Sequence, residues 1–190
     1  MSSAVGPMIF AIDPGPERSS LVSVLVDQDD LPLVSGELEH EVNDLVRQRL
    51  ADVKRGDIVA IEMMRSTGLS AGSDQFETCR QVGRFEQLAR QVGATVVLVT
   101  RDIVKLSICE SRRAKDGDIR QAIINRFGPG KERAIGTKKC PGPLYGVHGH
   151  QWAALALALA VHDGCERYDY LTSARGGRKA VERESALTHK

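Results

Sequence analysis

Short apolar runs rich in β-branched residues alternate along this chain with longer segments in which apolar side chains recur every three or four positions. The short runs predict five strands, over residues 8–12, 19–26, 33–38, 58–61 and 95–99. The longer segments predict helices, over residues 40–53, 76–91, 102–109, 115–127 and 150–162. The last of these helices is almost wholly apolar, so we expect it to be buried.

The order of these elements predicts an α/β fold. Three strands precede the first helix, which favours an antiparallel meander, and the later strands alternate with helices. We therefore expect a mixed five-stranded sheet flanked by helices. Loops are predicted over residues 63–73, which are rich in Gly and Ser, and over residues 128–146, which are rich in Gly, Pro and Lys. No repeat or linker divides residues 1–173, which predicts one domain followed by a basic, flexible tail at residues 174–190.

Composition agrees with a globular chain and excludes several other classes of protein. The 190 residues are 42% hydrophobic and 27% charged, unlike a disordered chain or a coiled coil. The apolar run over residues 153–161 is nine residues long, which is too short to span a membrane. The first residues lack the pattern of a secretory signal. The four cysteines lie at least 25 residues apart, which fits no CxxC knuckle or dense disulfide framework, so we expect a cytoplasmic location.

The net charge of +1 conceals an asymmetry along the chain. Residues 1–100 carry a net charge of −6, whereas residues 101–145 carry +6. A basic segment beside an acidic half indicates a surface that binds a polyanion next to a site that collects carboxylates. A solvated charged face with no partner is the alternative that composition leaves open.

Two of the predicted strands end in an acidic residue, Asp13 after residues 8–12 and Glu62 after residues 58–61. A desolvated, unpaired carboxylate is costly in free energy, so solvent, a basic side chain or a metal must compensate it. If the two strands are neighbours, their carboxylates would lie about 5 Å apart. Their mutual repulsion would then favour a shared divalent cation. For either acid alone, a solvent-exposed strand end is the alternative.

A histidine-containing segment, His148-Gly149-His150, opens the last predicted helix. The small side chains that follow allow this helix to approach a sheet closely, which would bring His150 near the strand ends. An exposed residue in the first helical turn is the simpler interpretation of His150. A zinc site formed by Cys140, His148 and His150 is a further alternative, although a fourth ligand at the usual spacing is missing.

Three segments taken together resemble the RuvC-type Holliday-junction resolvases of the RNase H-like superfamily. Residues 9–15, IFAIDPG, are similar to that family's opening strand, and residues 59–62, VAIE, to its second acidic strand. The segment HQWAALALA at residues 150–158 is similar to the family's final helix. The order and the separations match over residues 8–161. The stretch over residues 138–146 further resembles phage- or prophage-encoded relatives.

The resemblance implies a structure-selective endodeoxyribonuclease that resolves four-way junctions in recombination, repair or phage DNA processing. Such an enzyme hydrolyses phosphodiesters and leaves 5′-phosphates. The resemblance implies that Asp13, Glu62 and His150 are the catalytic and metal-binding residues, with Mg²⁺ or Mn²⁺ as cofactor. The family carries an acid-x-x-acid pair in its final helix, whereas this chain has His150 and Ala153. Two carboxylates and one imidazole would hold one metal ion well and a second only weakly.

The basic segment supplies the candidate contacts to DNA. They are Arg112, Arg113, Lys115, Arg120, Lys138 and Lys139, and Arg65 in the predicted loop after Glu62 is a further candidate. Contacts to phosphate give an affinity that falls with salt and carry no sequence specificity. Asp116 and Asp118 in the same region are either an additional acidic feature or charges at a helix N-terminus, which the helix dipole favours, and we adopt the second interpretation.

A four-way junction has twofold symmetry, and the resemblance likewise implies a homodimer. The helix over residues 76–91 is the candidate interface because Phe76, Cys79 and Phe85 are large for a face that also carries arginines. Packing within the protein is the expected role of Phe76 itself.

Three other functions compete with this interpretation. A degenerate, non-catalytic nucleic-acid-binding module and a general branched-DNA or flap nuclease both stay open. A phosphotransferase on a related fold is disfavoured, because the chain lacks the GxGxxG and GxxxxGK[ST] phosphate loops.

Overall fold

A five-stranded mixed sheet forms the centre of the fold. The computed structural model describes residues 7–25, 33–65 and 71–165. The sheet consists of β1 (Met8–Asp13), β2 (Arg18–Leu25), β3 (Leu33–Val42), β4 (Ile58–Met63) and β5 (Thr95–Thr100), in the order β3-β2-β1-β4-β5. The first three strands pair antiparallel, whereas β4 runs parallel to β1 and β5 parallel to β4. The predicted mixed sheet with a leading antiparallel meander is confirmed.

Helices cover both faces of the sheet. They are α1 (Asn43–Arg49), α2 (Ser73–Gln91), α3 (Arg101–Cys109), α4 (Asp116–Phe127), α5 (Lys131–Ala134) and α6 (Gln151–His162). A 3-10 turn, Leu50–Asp52, extends α1. Apolar side chains of α1 and α2 form a core on one face, and those of α3, α4 and α6 form a core on the other. The first helix begins at Asn43 rather than at residue 40, because β3 stays paired with β2 as far as Val42.

Helix α6 is the most deeply buried helix among the described residues, as its sequence predicted. Nine of its 12 residues are buried. Alternating alanine and leucine side chains let it pack directly on β1 and β2. This packing fixes the N-terminal end of α6 at the edge of the sheet where β1 ends.

The predicted loop over residues 128–146 contains regular structure. Besides α5, it includes a small hairpin of β6 (Gly136–Thr137) and β7 (Cys140–Pro141). Gly136 has a φ of +72°, and a Cβ there would lie 2.3 Å from the Cys140 carbonyl oxygen. Ala134 and Leu144 are fully buried and anchor the segment. The expectation of a plain loop was wrong because these anchors are single residues, too few to form a periodic pattern.

The two phenylalanines of α2 both differ in burial from what the sequence predicts. Phe76 is 67% exposed rather than packed, and Phe85 is fully buried. Phe85 therefore cannot contribute to a dimer interface on α2, whereas Phe76 and Cys79 are accessible on it. The tail predicted at residues 174–190 lies outside the described residues. In the described part of the chain, no helix has both the length and the hydropathy that a bilayer crossing requires.

Candidate active site

Asp13 and Glu62 lie side by side at the carboxyl ends of two adjacent parallel strands, β1 and β4. Ile12 of β1 is paired with Ile61 of β4, so the two acids follow at equivalent positions where the strands end. Their side chains are 21% and 18% exposed, respectively. The buried strands thus deliver two partly buried carboxylates to one place.

Burial perturbs both carboxyl groups. It raises the pKa of Asp13 above its usual value, against the opposing effect of the Arg101 guanidinium and of His150. Burial raises the pKa of Glu62 to about 7, and the negative charge of Asp13 adds to this rise while Arg101 opposes it. A site in which two ionised carboxylates are this unfavourable gains free energy from any cation that binds between them.

The N-terminal end of α6 brings His150 to Asp13. The His150 Nδ1 atom lies 3.6 Å from Asp13 Oδ2. Glu39 of β3 fixes this end of the helix, because its Oε1 accepts a hydrogen bond from the His150 amide at 2.9 Å and its Oε2 accepts one from the Gln151 amide at 3.0 Å. Gly149 has a φ of +49°, and a Cβ there would lie 2.0 Å from Glu39 Oε1. Glycine suits this position because another residue would need the left-handed backbone conformation and would displace the Glu39 carboxylate.

His40 packs against the other side of His150. The two imidazole rings stack with centroids 4.9 Å apart. His40 has a φ of +47°, which is rare for a residue other than glycine. Its amide donates to Ser20 Oγ at 2.9 Å, and its carbonyl accepts from Arg18 at 3.0 Å. Strained backbone held by its surroundings is typical of functional sites, and here it positions the ring beside His150.

Arg101 brings a positive charge into the acidic site. It is the first residue of α3 and directly follows β5, whose residue Thr100 is paired with Met63 of β4. Its Nη1 atom donates to Glu62 Oε2 at 3.1 Å, and its Nη2 atom donates to Asp116 Oδ1 at 2.8 Å. Asp116 does begin α4, as the interpretation of a helix N-terminal charge requires, but it also faces this site. Asp118 is confined to capping α4, because its carboxylate accepts from the Lys115 amide.

Sequence reasoning missed Arg101, Glu39 and His40. A usable indication existed for Arg101, because it follows the apolar run of β5 much as Asp13 and Glu62 follow theirs. None existed for Glu39 and His40, since their importance comes from contacts with residues about 110 positions away along the chain.

Two clefts meet at Asp13 and His150. A cleft of about 690 Å³ is lined by the β1–β2 turn, His40 and the first turns of α2. A smaller cleft of about 360 Å³ on the other side is lined by Arg101, Asp116, Trp152 and Ala153 among others. Ala153 offers only a methyl group to this second cleft. The site is therefore open to a large substrate from two directions.

The placement of metal ligands differs from the simplest expectation. Within the described ranges, no group of three or more His, Cys, Asp or Glu side chains is arranged to hold a metal ion. That result covers the alternative zinc set of Cys140, His148 and His150. It also covers Asp13, Glu62 and His150 as they stand, and Arg101 contacts one of the Glu62 oxygens.

The predicted DNA-binding residues lie in two environments. Arg65 and Arg112 both form ion pairs with Asp102, which reduces the charge they present to a polyanion. The other five are exposed without an ion pair among the described residues, and they are Arg113, Lys115, Arg120, Lys138 and Lys139. Arg120 lies over the Trp152 ring at 4.8 Å, beside the smaller cleft. Lys138 and Lys139 form the turn of the β6–β7 hairpin.

Two solved structures share this fold over most of the chain. The structure of Thermus thermophilus RuvC superposes with a TM-score of 0.59 at 17% identity, covering 85% of this chain and 99% of RuvC. T. thermophilus RuvC in complex with a Holliday junction substrate superposes with a TM-score of 0.58 at 16% identity, with the same coverage. No family model and no curated protein matches the sequence. The chain therefore has a RuvC-type, RNase H-like fold, while its resemblance to phage-encoded relatives stays a prediction.

Proposed function

We propose that this protein is a divalent-metal-dependent endonuclease that cleaves branched DNA, with four-way junctions as its preferred substrate. The observation that carries the proposal is the meeting of Asp13, Glu62 and His150 at one edge of a RuvC-type sheet. The complex of T. thermophilus RuvC with a Holliday junction substrate supports the choice of DNA. The exposed side chains of Arg113, Lys115 and Arg120, and of Lys138 and Lys139 in the β6–β7 hairpin, would supply the contacts to phosphates.

The donor atoms of the site are of the types that bind a divalent cation, although the three side chains are not already arranged around one. Carboxylate oxygens suit Mg²⁺, and an imidazole nitrogen suits Mn²⁺ better than Mg²⁺. Asp13, Glu62 and His150 would hold this ion. When bound, it supplies an acidified water molecule and neutralises charge on the phosphate.

The residues of the chain then orient the reaction. In hydrolysis a water oxygen bonds to phosphorus, the bond from phosphorus to the 3′ oxygen breaks, the water loses a proton and the 3′ oxygen gains one. The products are a 5′-phosphate and a 3′-hydroxyl. Glu39 and His40 keep His150 against Asp13, so His150 itself needs little reorganisation as the substrate binds.

Symmetric cleavage of a four-way junction requires two sites, so we propose that the protein acts as a homodimer. Exposed Phe76 and Cys79 on α2 support this helix as part of the interface. Phe76→Ser is expected to shift the protein toward a monomer in analytical ultracentrifugation and to uncouple the two incisions on a junction. An unchanged dimer would place the interface elsewhere.

The test of the proposed function compares DNA shapes. Labelled four-way, flap and linear DNA of matched length and sequence are incubated with the protein and Mg²⁺, and then with Mn²⁺. We expect metal-dependent incision with faster cleavage of the four-way junction. Equal rates on all three shapes would instead indicate a general nuclease.

A second candidate function is a non-catalytic module that binds branched DNA. It is favoured by the methyl group of Ala153 in the cleft and by the ion pair between Arg101 and Glu62. Junction binding with no incision in either metal would favour this function over the nuclease.

A further inference from the structure

The position of Arg101 distinguishes this site from a cluster made only of metal ligands. Its guanidinium bridges Glu62 on β4 and Asp116 on α4. The side chain is 28% exposed and lines the same cleft as Asp13 and Ala153. Because α3 begins directly where β5 ends, the fold itself delivers this cation to the catalytic edge of the sheet.

The charges of the site match one divalent cation rather than two. Asp13, Glu62 and Asp116 contribute three negative charges when ionised, and Arg101 contributes one positive charge, which leaves −2. One divalent cation balances that charge. In the free protein, two divalent cations together with Arg101 would carry more positive charge than these three carboxylates can balance.

The ligands that a second ion would need are also absent from this cleft. Two-metal hydrolysis requires donors for both ions about 4 Å apart. Besides Asp13 and His150, which the first ion would use, this cleft is lined by Arg101, Asp116 and four residues without a metal-binding side chain in this setting, Ile119, Gly149, Trp152 and Ala153. Asp116 is the one other carboxylate there, and Arg101 already binds it. The described residues therefore do not fit a second divalent ion.

We propose that Arg101 takes the place of a second metal ion and contacts the scissile phosphate directly. This inference rests on the proposed nuclease function. A guanidinium is planar, stays charged at any working pH and binds phosphate oxygens through paired N–H groups. Glu62 and Asp116 hold it in place before substrate arrives, so its positive charge stabilises the charge that develops on the phosphate and the leaving 3′ oxygen. Arg101 is thus a catalytic residue.

The competing interpretation is that the ion pairs of Arg101 only stabilise the packing of α4 beside β4. The chain offers a matched control for that role, because Arg126 is equally exposed at 28% and forms a two-pronged pair with Asp163 at the far end of α6. Arg126→Gln removes a comparable ion pair at a distance from the cleft.

The experiment measures metal stoichiometry, junction affinity and single-turnover incision separately. Mn²⁺ binding without DNA is followed by electron paramagnetic resonance, junction affinity by fluorescence anisotropy without metal, and incision on a four-way junction with Mn²⁺. The variants are Arg101→Gln, Arg101→Lys and Arg126→Gln. A double variant, Arg101→Gln with Ala153→Asp, exchanges the guanidinium for a new carboxylate.

We expect the wild type to bind one Mn²⁺ per chain. Arg101→Gln should still bind one ion and bind the junction within about threefold of wild type, but should incise about 100-fold more slowly or worse, as for loss of a preorganised charge-stabilising donor. Arg101→Lys should recover part of that loss because it restores the charge. The double variant should bind two Mn²⁺ ions, and Arg126→Gln should incise like the wild type.

Three results would overturn the inference. The first is binding of two Mn²⁺ ions with similar affinity by the wild type. The second is incision by Arg101→Gln within about threefold of Arg126→Gln. The third is that Arg101→Gln and Arg101→Lys both lose Mn²⁺ binding and thermal stability. That result would mean that Arg101 only connects β4 to α4. If the wild type incises no DNA at all, both the proposed nuclease function and the catalytic role of Arg101 are refuted. The three results above refute only the role of Arg101.

Discussion

The imidazole ring of His40 stacks on that of His150, with the two ring planes inclined by only 19°. The contact joins the end of the edge strand β3 to the residue that directly precedes α6. It is maintained although His40 must adopt a left-handed backbone conformation. This relationship predicts that His40 acts on catalysis through the orientation of His150, as a positioning residue.

Replacing His40 separates backbone strain from ring stacking. Both His40→Ala and His40→Gly remove the ring, but only glycine relieves the positive φ. We expect His40→Gly to be more stable than His40→Ala by about 1 kcal/mol in urea unfolding. Both variants should lose junction incision to a similar extent, by about tenfold. Incision that follows stability instead of the ring would contradict the positioning role.

Gly149 tests the contact between Glu39 and the start of α6. A Cβ at position 149 would meet Glu39 Oε1, so we expect Gly149→Ala to lose both the favourable backbone and the cap, about 2–4 kcal/mol. Gly164→Ala is the control, since its φ is also positive at +77° but no atom lies within 4 Å of the new Cβ. It should cost only about 1 kcal/mol.

A double-mutant cycle checks the cause of that difference. In a Glu39→Ala background the clash at position 149 is gone, so the extra cost of Gly149→Ala should largely disappear. If Gly149→Ala lowers the free energy of unfolding equally in the wild-type and Glu39→Ala backgrounds, Glu39 does not fix this end of the helix.

The sequence predicted part of this site for a clear physical reason. An acid that directly follows an apolar strand lies where that strand leaves the sheet. This pattern alone identified Asp13 and Glu62 as candidates. Apolar helix α6 had to be buried, which brought His150 toward the same edge. The roles of all three stay predictions, but their placement followed from local patterns.

The rest of the site depends on tertiary structure that no local pattern specifies. Arg101 meets Glu62 only because β5 is placed next to β4, and strand order is not encoded in either strand. The sequence pattern places residue 40 at the start of a helix and leaves residue 39 between the predicted strand and that helix, because alternating polar residues at an edge strand carry no strong periodicity. Asp116 was correctly placed at a helix start, yet its pairing with Arg101 required the packing of α4 beside α3.

The metal-free protein should become less stable as pH rises because of Glu62. Its pKa of about 7 in the folded protein lies above the value of 4.5 expected for the unfolded chain. The folded state therefore binds the proton more tightly, and the stability that this provides is complete below pH 4.5 and is lost as pH rises to about 7.

Glu62→Gln is the variant that isolates this effect. Its stability relative to wild type, measured by urea unfolding in EDTA, should increase between pH 4.5 and 7 by on the order of 2 kcal/mol and then level off. Adding Mn²⁺ at pH 8 should stabilise the wild type and so reduce the difference in stability between Glu62→Gln and wild type. A difference that is independent of pH would contradict the perturbed carboxyl group.

The hairpin lysines should dominate the salt dependence of DNA binding more than the paired arginines do. Neutralising Lys138 and Lys139 together is expected to lower the slope of log K against log salt by about 2, since each phosphate contact contributes about 0.9. Arg112→Gln should change the slope less, because Arg112 already pairs with Asp102. Fluorescence anisotropy at four salt concentrations measures both slopes, and equal slopes for all variants would exclude the hairpin from the interface.

The central claim is that Asp13 is an essential ligand in a metal-dependent nuclease, and one comparison tests it most directly. Wild type and Asp13→Asn are incubated with a labelled four-way junction in EDTA, in Mg²⁺ and in Mn²⁺, and incision and binding are measured on the same samples. We predict that the wild type incises the junction only when a divalent ion is present, and that Asp13→Asn binds it with similar affinity but leaves it intact. Incision by Asp13→Asn at the wild-type rate, or incision by the wild type in EDTA, would contradict the account.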